Sequence, residues 1–179
     1  SEEITNPCSA NRKGVTLGEG SAIFLVTRDA GGIRLRGVGE SCDAHHMSAP
    51  EPEGLGAERA MRGALADAGV APGEIAYLNL HGTGTPLNDL MECNAIARVF
   101  GDPPPYSSTK SLVGHTLGAA GAMEAGFCWL SLRAESEGRI PLIPHVYDGA
   151  LDPKLPAVHL ATRGLRVAAG PALSNSFGF

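Results

Sequence analysis

The spacing of apolar residues along the chain predicts two strands at the start, followed by helices that alternate with further strands. Residues 22–27 are rich in β-branched and aromatic side chains, and a similar segment follows at 31–43, so the glycines between them predict a β-hairpin. Apolar positions at helical spacing between 53 and 70, with Gly69 near the end, predict an amphipathic helix. The segment 88–101 predicts a second helix closed by a glycine.

Shorter patterns complete the order of elements. An apolar segment after Pro72 predicts a strand that ends at His81, and the turn "PPPYSSTK" leads into another brief strand. Residues 111–135 are apolar on nearly all sides, as buried helices are. After an irregular, proline-bearing stretch, strands are expected at 158–160 and 172–176. The order β-β-α-β-α-β-α-β-β predicts an α/β fold with a helix-covered mixed sheet.

Composition narrows the class of protein. The 179 residues are 43% hydrophobic and 18% charged, which suits one globular domain or a piece of a larger one. A net charge of −5 with scattered Lys and Arg disfavours nucleic-acid binding. The four cysteines form no CxxC pair, so we expect no zinc knuckle or disulfide framework and a reducing cytoplasm. Because neither end carries an evident terminal element, we expect a fragment.

Neither a signal peptide nor a membrane span is predicted. The chain begins with a polar segment, and its longest apolar stretch, 116–132, is interrupted by Glu124 and glycines.

A histidine at the end of a predicted strand is the first candidate for chemistry. His81 precedes the turn "GTGT", and α/β folds place catalytic groups at such strand ends. The glycines let a ligand approach the backbone closely, while Thr83 and Thr85 offer two hydroxyls on one side. Taken alone, the motif fits a surface histidine in a turn equally well.

A second constellation strengthens that hypothesis. Lys110 precedes His115 by five residues, and His115 is expected to open a glycine- and alanine-rich helix. The helix end and the lysine would both hold the imidazole neutral and able to donate a hydrogen bond. Two neutral histidines aimed at one carbonyl oxygen would stabilise an enolate without a metal. Glu124 lies in the same apolar helix, and a buried carboxylate needs a partner, which Lys110, a bound cation or backbone amides could supply. The alternative is that Glu124 faces a solvated edge.

Other motif readings are weaker. The residue before Lys110 is not the glycine that a Walker A motif needs, and "GHTLGAAG" lacks dinucleotide-binding spacing. His45 and His46 fit a solvated loop, Asp89 and Glu92 fit a capping box, and Cys8 lacks the strand-to-helix elbow of a nucleophile.

Three ordered motifs carry a family resemblance. "LNLHGTGTPLND", "SSTKSLVGHTLGAAGAMEA" and "SNSFGF" resemble the C-terminal half of β-ketoacyl-[acyl-carrier-protein] synthases, and "NRKGVTLGEGSAIFLV" resembles the segment that opens that half. The resemblance implies a thiolase-like fold: two duplicated halves, five layers α-β-α-β-α, a mixed sheet and a homodimer. Residues 1–179 would form the C-terminal domain, with the Cys-bearing N-terminal half and the final strand absent.

The resemblance also implies an activity. Family members catalyse decarboxylative Claisen condensation of malonyl-carrier protein with an acyl group held on cysteine, which gives β-ketoacyl-carrier protein in fatty-acid or polyketide-type elongation. The expected partners are acyl carrier protein and the malonyl and acyl thioesters, without nucleic acid or membrane, and no cofactor is required.

Residue roles follow from the same resemblance. His81 and His115 would complete a Cys-His-His triad and donate to the malonyl thioester oxygen. Lys110 would tune His115, with Glu124 in its network, and the backbone N–H of Phe179 would help to form the acyl oxyanion hole.

Two further sets of residues are implied. Thr83 and Thr85 would contact the pantetheine arm. Some family members hold a structural monovalent cation at the positions of Asn79, Glu124, Ser174 and Asn175.

Because the family's nucleophilic cysteine lies in the other half, the 179-residue chain alone is predicted to be inactive. The main alternative is a non-catalytic partner subunit such as a chain-length factor, which we would expect to have lost His81, His115 and Lys110. A thiolase relative acting on coenzyme A is disfavoured, because no second cysteine lies near "NSFGF".

Overall fold

The computed structural model describes residues 4–29, 31–47, 49–156 and 158–178, so Phe179 lies outside the described residues. Helices and short strands are interleaved along the chain, and two short 3₁₀ turns, Pro72–Glu74 and Leu117–Ala119, connect them. The elements are α1 (Leu55–Ala68), β1 (Tyr77–Asn79), α2 (Pro86–Phe100), β2 (Tyr106–Ser107), α3 (Lys110–Val113), α4 (Ala120–Arg133), β3 (Arg139–Pro141), β4 (Arg166–Ala168) and β5 (Ala172–Ser174).

The central sheet has the order β2-β1-β5, and its strands are parallel. Leu78 pairs with Tyr106 on one side and with Leu173 on the other. The sequence predicted one mixed sheet. Parallel and antiparallel pairs are both present, but in two sheets, because β3 and β4 form a separate antiparallel pair. The α/β prediction is confirmed. Since the carboxyl ends of parallel strands meet at one edge, the loops after β1 and β2 converge there.

The core has two apolar layers, one on each face of the central sheet. Leu78 and Leu80 pack with α1 and α2 on one face, where Met61 and Ile96 are fully buried. Tyr77 points to the other face and packs with Cys128 of α4 and with the β3 region. This alternation along β1 is the period of two expected of a strand covered on both faces.

The predicted hairpin at 22–27 and 31–43 is wrong within the described residues. Neither segment forms a strand, and the side chains of Ile23 and Leu25 are more than 90% exposed. The second segment lies against a helix instead, because Cβ atoms at Gly37 and Gly39 would meet the backbone of α1 at 2.5 and 2.0 Å. β-propensity predicts extended backbone, but a strand also needs a neighbour with which to form hydrogen bonds.

The first two helices are confirmed, with Gly69 in the left-handed conformation and Gly101 at the end of α2. The capping box of Asp89 and Glu92 is wrong: Thr85 precedes the helix, no side chain caps it, and both carboxylates bind amides outside it.

The later elements differ more from the prediction. Gly114 ends α3, and α4 begins only at Ala120. An unpredicted strand, β3, precedes the irregular stretch expected at 141–156 and shares only Pro141 with it. Residues 158–160 contribute a single bridge from Leu160 to Tyr106 rather than a strand. Strand β5 is confirmed. Within the ranges described, no helix combines the length and apolar character that crossing a membrane requires.

Candidate active site

The turn after β1 holds His81 almost completely buried, with 3% of its surface exposed. Gly82 and Gly84 have positive φ angles of 38° and 74°, a conformation that favours glycine. A Cβ on Gly82 would also lie 2.7 Å from the Cβ of Ser108. Glycine at this position therefore lets the His81 turn approach the loop after β2.

A buried carboxylate holds the backbone of this turn. The amides of His81 and Gly82 donate to the two Glu92 oxygens, each at 2.8 Å, and the Asn175 side chain donates at 2.9 Å. Burial raises the pKa of Glu92 to about 7, while the three donors oppose that shift. Glu92 therefore joins α2, the residue that follows β5 and the His81 turn.

Asp89 supports the next part of the turn. Its carboxylate accepts hydrogen bonds from the amides of Gly84 at 3.2 Å and Cys8 at 2.9 Å, and Arg12 lies 3.6 Å away. These two carboxylates were missed as site residues. The only sign of them in the sequence is that acidic residues occur among the apolar positions of a helix, and the same pattern is also expected of a helix cap.

The Lys110 ammonium lies at the centre of the site. It donates to the His81 carbonyl and to Glu124 Oε1, and the side chains of Lys110 and Glu124 are 1% and 3% exposed. Burial raises the pKa of Glu124, and the lysine opposes this rise. The pairing expected for Glu124 is therefore present, and the alternative of a solvated edge is wrong.

His115 lies between two helices rather than at the start of one. It follows the end of α3 and precedes α4 by five residues, so a helix terminus does not explain its state. Its amide donates to Thr16 O and its carbonyl accepts from Gly18, at 2.7 and 3.0 Å. The Leu117 amide donates to His115 Nδ1 at 3.3 Å, which leaves Nε2 as the protonated nitrogen of the neutral ring.

The two imidazoles are neighbours. Their ring centroids are 5.3 Å apart with the planes at 82°, and the Phe177 ring lies edge-on to His81 at 5.9 Å. Burial lowers the pKa of His81 to about 3, with Lys110 and then His115 adding to the effect. The pKa of His115 is also lowered, mainly by burial and in addition by the positive charge of Lys110. Near neutral pH the site therefore presents two uncharged imidazoles.

The threonines of the turn share one side, as expected. Thr83 Oγ1 and Thr85 Oγ1 lie 2.9 Å apart, and Thr83 is buried while Thr85 is half-buried. Their contact with a pantetheine arm stays a prediction.

The residues expected to hold a cation fall on both faces of the sheet. Tyr77 donates to Asn79 Oδ1 at 3.3 Å, and Glu124 and Ser174 lie near Cys128 on the same face. Among the described residues, no donor reaches Glu124 Oε2. The Asn175 side chain instead contacts Glu92 and Met61 on the opposite face, so only its main chain could join the set.

Two buried cysteines, Cys8 and Cys128, are poor candidates for a nucleophile. Contact with the Cys93 thiol, together with burial, raises the pKa of Cys8, and burial raises that of Cys128. Because the thiolate is the reactive form, neither residue suits the role.

Comparison with known proteins agrees with this geometry. Residues 33–146 match the family model of the β-ketoacyl synthase C-terminal domain, and the chain belongs to that family. It is 36% identical to 3-oxoacyl-[acyl-carrier-protein] synthase 2 of Staphylococcus aureus, over 99% of this chain and 46% of the relative. The chain thus spans less than half the length of the curated relatives it matches.

Solved structures extend the comparison. A ketosynthase (ApeO) in complex with its chain length factor (ApeC) from Xenorhabdus doucetiae matches with a TM-score of 0.85 and 45% identity, covering 100% of this chain and 44% of that one. The ishigamide ketosynthase/chain length factor matches with a TM-score of 0.72 and 33% identity, covering 94% of this chain and 42% of that one. The thiolase-like fold is therefore shown.

The Lys110–Glu124 pair should be strongly coupled. In the full-length protein, Lys110→Met leaves a buried carboxylate without its cation and should lower the free energy of unfolding by about 3–5 kcal/mol. Adding Glu124→Gln should restore a large part of that loss, as a urea-unfolding double-mutant cycle would measure. Additive single losses would show that the two charges do not interact.

Proposed function

We propose that this chain forms the C-terminal half of the active site of a β-ketoacyl-[acyl-carrier-protein] synthase. The observation that carries the proposal is the pair of neutral imidazoles 5.3 Å apart beside a buried lysine. Two uncharged N–H donors that converge on one oxygen suit a reaction in which negative charge develops on a thioester carbonyl.

The reaction then proceeds as a decarboxylative condensation. The bond between the malonyl carboxylate and the α-carbon breaks, carbon dioxide leaves, and the electron pair of that bond moves into the thioester as an enolate. His81 and His115 donate hydrogen bonds to the enolate oxygen. The α-carbon attacks the acyl thioester carbon, a carbon–carbon bond forms, and the cysteine thiolate leaves. That cysteine comes from a region outside these 179 residues.

The neighbouring residues have supporting roles in this proposal. Thr83 and Thr85 bind the pantetheine arm of the carrier protein. Lys110 disfavours the imidazolium form of both histidines, because a second positive charge nearby costs free energy. Phe179 contributes its amide to the acyl oxyanion hole.

Acyl carrier protein delivers the malonyl and acyl groups, and the complete protein pairs with a second synthase-like subunit in the cytoplasm. The relatives named synthase 2 support the carrier-protein substrate. A homodimer is the arrangement that the family resemblance implies.

A non-catalytic partner subunit is the second candidate, because the similar solved structures contain both a ketosynthase and a chain length factor. A subunit without condensation chemistry has no need of a buried lysine beside two neutral histidines. The presence of His81, His115 and Lys110 in one site therefore favours the catalytic subunit.

Loss of either imidazole should abolish condensation and spare acylation. In the full-length protein, His81→Ala and His115→Ala should lower the rate of malonyl-carrier-protein decarboxylation by at least about 10²-fold, because each removes a donor to the developing oxyanion. Acyl transfer from carrier protein to the cysteine should continue. Both steps are followed by mass spectrometry of the carrier and the enzyme.

A matched control is His159→Ala, an exposed histidine on the segment after the irregular stretch. This variant should decarboxylate like the wild type. Decarboxylation by His81→Ala and His115→Ala at wild-type rates would refute the catalytic role and favour the partner-subunit reading.

We further propose a structural monovalent cation beside Glu124. Glu124 Oε2, Asn79 and Ser174 supply oxygen atoms on one face of the sheet, and the main chain of Asn175 completes the set. Such hard oxygen ligands suit an alkali cation. No other cofactor is needed for the reaction.

The cation should stabilise the folded state. The melting temperature of the full-length protein should rise when choline chloride is replaced by potassium or sodium chloride at equal ionic strength, because a ligand that binds only the native state stabilises it. Ser174→Ala should reduce the rise. Equal melting temperatures in all three salts would contradict the site.

A further inference from the structure

His145 lies outside the proposed triad, yet it is buried and bonded through both ring nitrogens. The Ser108 amide donates to His145 Nδ1 at 3.1 Å, and His145 Nε2 lies 2.9 Å from the Pro7 carbonyl. A backbone N–H can only donate and a carbonyl oxygen can only accept, so the ring is neutral with its proton on Nε2. The Tyr147 ring packs edge-on against it at 5.3 Å.

Ser108 connects His145 to the turn that contains His81. Its hydroxyl donates to the Gly82 carbonyl at 2.7 Å and accepts from the Lys110 amide at 3.2 Å. Ser108 is fully buried, and a Cβ on Gly82 would clash with it. One side chain therefore holds both the peptide after His81 and the residue whose ammonium binds the His81 carbonyl.

We propose that His145 is a positioning residue for the condensation reaction, acting through Ser108 on Gly82 and Lys110. This inference rests on the proposed function. His145 Nδ1 sets the direction of the buried Ser108 amide, and the hydroxyl of that residue then sets the distance between the His81 turn and the lysine helix.

The effect should appear in turnover rather than only in stability. Without an acceptor, the Ser108 amide is a buried unsatisfied donor, and the peptide rotates to find another partner. Rotation moves the Ser108 hydroxyl away from Gly82 and Lys110. A displacement of about 1 Å in a catalytic group can lower a rate by about 10²-fold.

Two substitutions distinguish the contact made by Nδ1 of His145 from the contact made by Nε2. In His145→Asn, Oδ1 occupies the place of Nδ1 and can still accept from Ser108, while the contact with Pro7 is lost. In His145→Gln, the terminal amide occupies the place of Nε2 and can still donate to Pro7, while the acceptor for Ser108 is lost.

The full-length protein should show opposite losses in the two variants. His145→Asn should keep kcat within about threefold of the wild type and melt at a lower temperature. His145→Gln should lose about 10- to 100-fold in kcat, with little change in KM for malonyl-carrier protein. If kcat instead follows the melting temperature across the two variants, the role is only structural and the proposal fails.

Ser108→Ala provides a second test of the proposal if either His145 variant folds poorly. It should lower kcat as His145→Gln does, and the double variant should be no worse than the more damaging single one. Losses of kcat that multiply in the double variant would show that His145 and Ser108 act independently, which would contradict the proposal.

A matched control is His159→Gln, since His159 also contacts a proline carbonyl, Pro103 O at 3.2 Å, without a link to Gly82. Its kcat should equal that of the wild type. If the wild-type protein does not condense at all, the proposed function fails; if it condenses and His145→Gln keeps full kcat, only the positioning role fails.

Discussion

The buried ammonium of Lys110 is the interaction on which the site depends. Removing an ammonium from water costs several kcal/mol, so the surrounding residues must supply partners with good geometry. The carbonyl of His81 and the carboxylate of Glu124 are those partners, and they come from the loop after β1 and from α4. Because parallel strands β1 and β2 end at the same edge, the lysine can reach both. The fold thus places a positive charge where it can act on both histidines.

Neutral imidazoles are the chemical consequence. Burial lowers the pKa of His81 and of His115, and the lysine adds to this effect. The other carboxylates near the turn, Glu92 and Asp89, accept backbone amides rather than pair with the histidines. The charges of the site are therefore arranged to hold a turn rigid and to keep two donors uncharged, which is the form of electrostatic preorganisation that an enolate requires.

The sequence predicted the elements whose signals are local. Helices α1 and α2 have periodic apolar residues and are followed by Gly69 and Gly101, and His81 follows the apolar strand β1 by two residues. Features that depend on contacts distant in sequence were missed: the unpaired segment near Ile23, the role of Glu92 and the link through His145. No local pattern shows that a helical glutamate will bind amides eleven residues earlier, or that a loop histidine will meet a serine 37 residues away.

The protonation state of the two histidines is the most direct measurement. Full-length protein labelled with ¹⁵N-histidine would be titrated by NMR between pH 5 and 8, with His81→Ala and His115→Ala used for assignment. We expect the His81 ring to stay neutral throughout, and His115 to carry its proton on Nε2 at neutral pH and to titrate below its ordinary value of about 6.5. An imidazolium at either position with a pKa at or above about 6.5 would contradict a site built from two neutral donors.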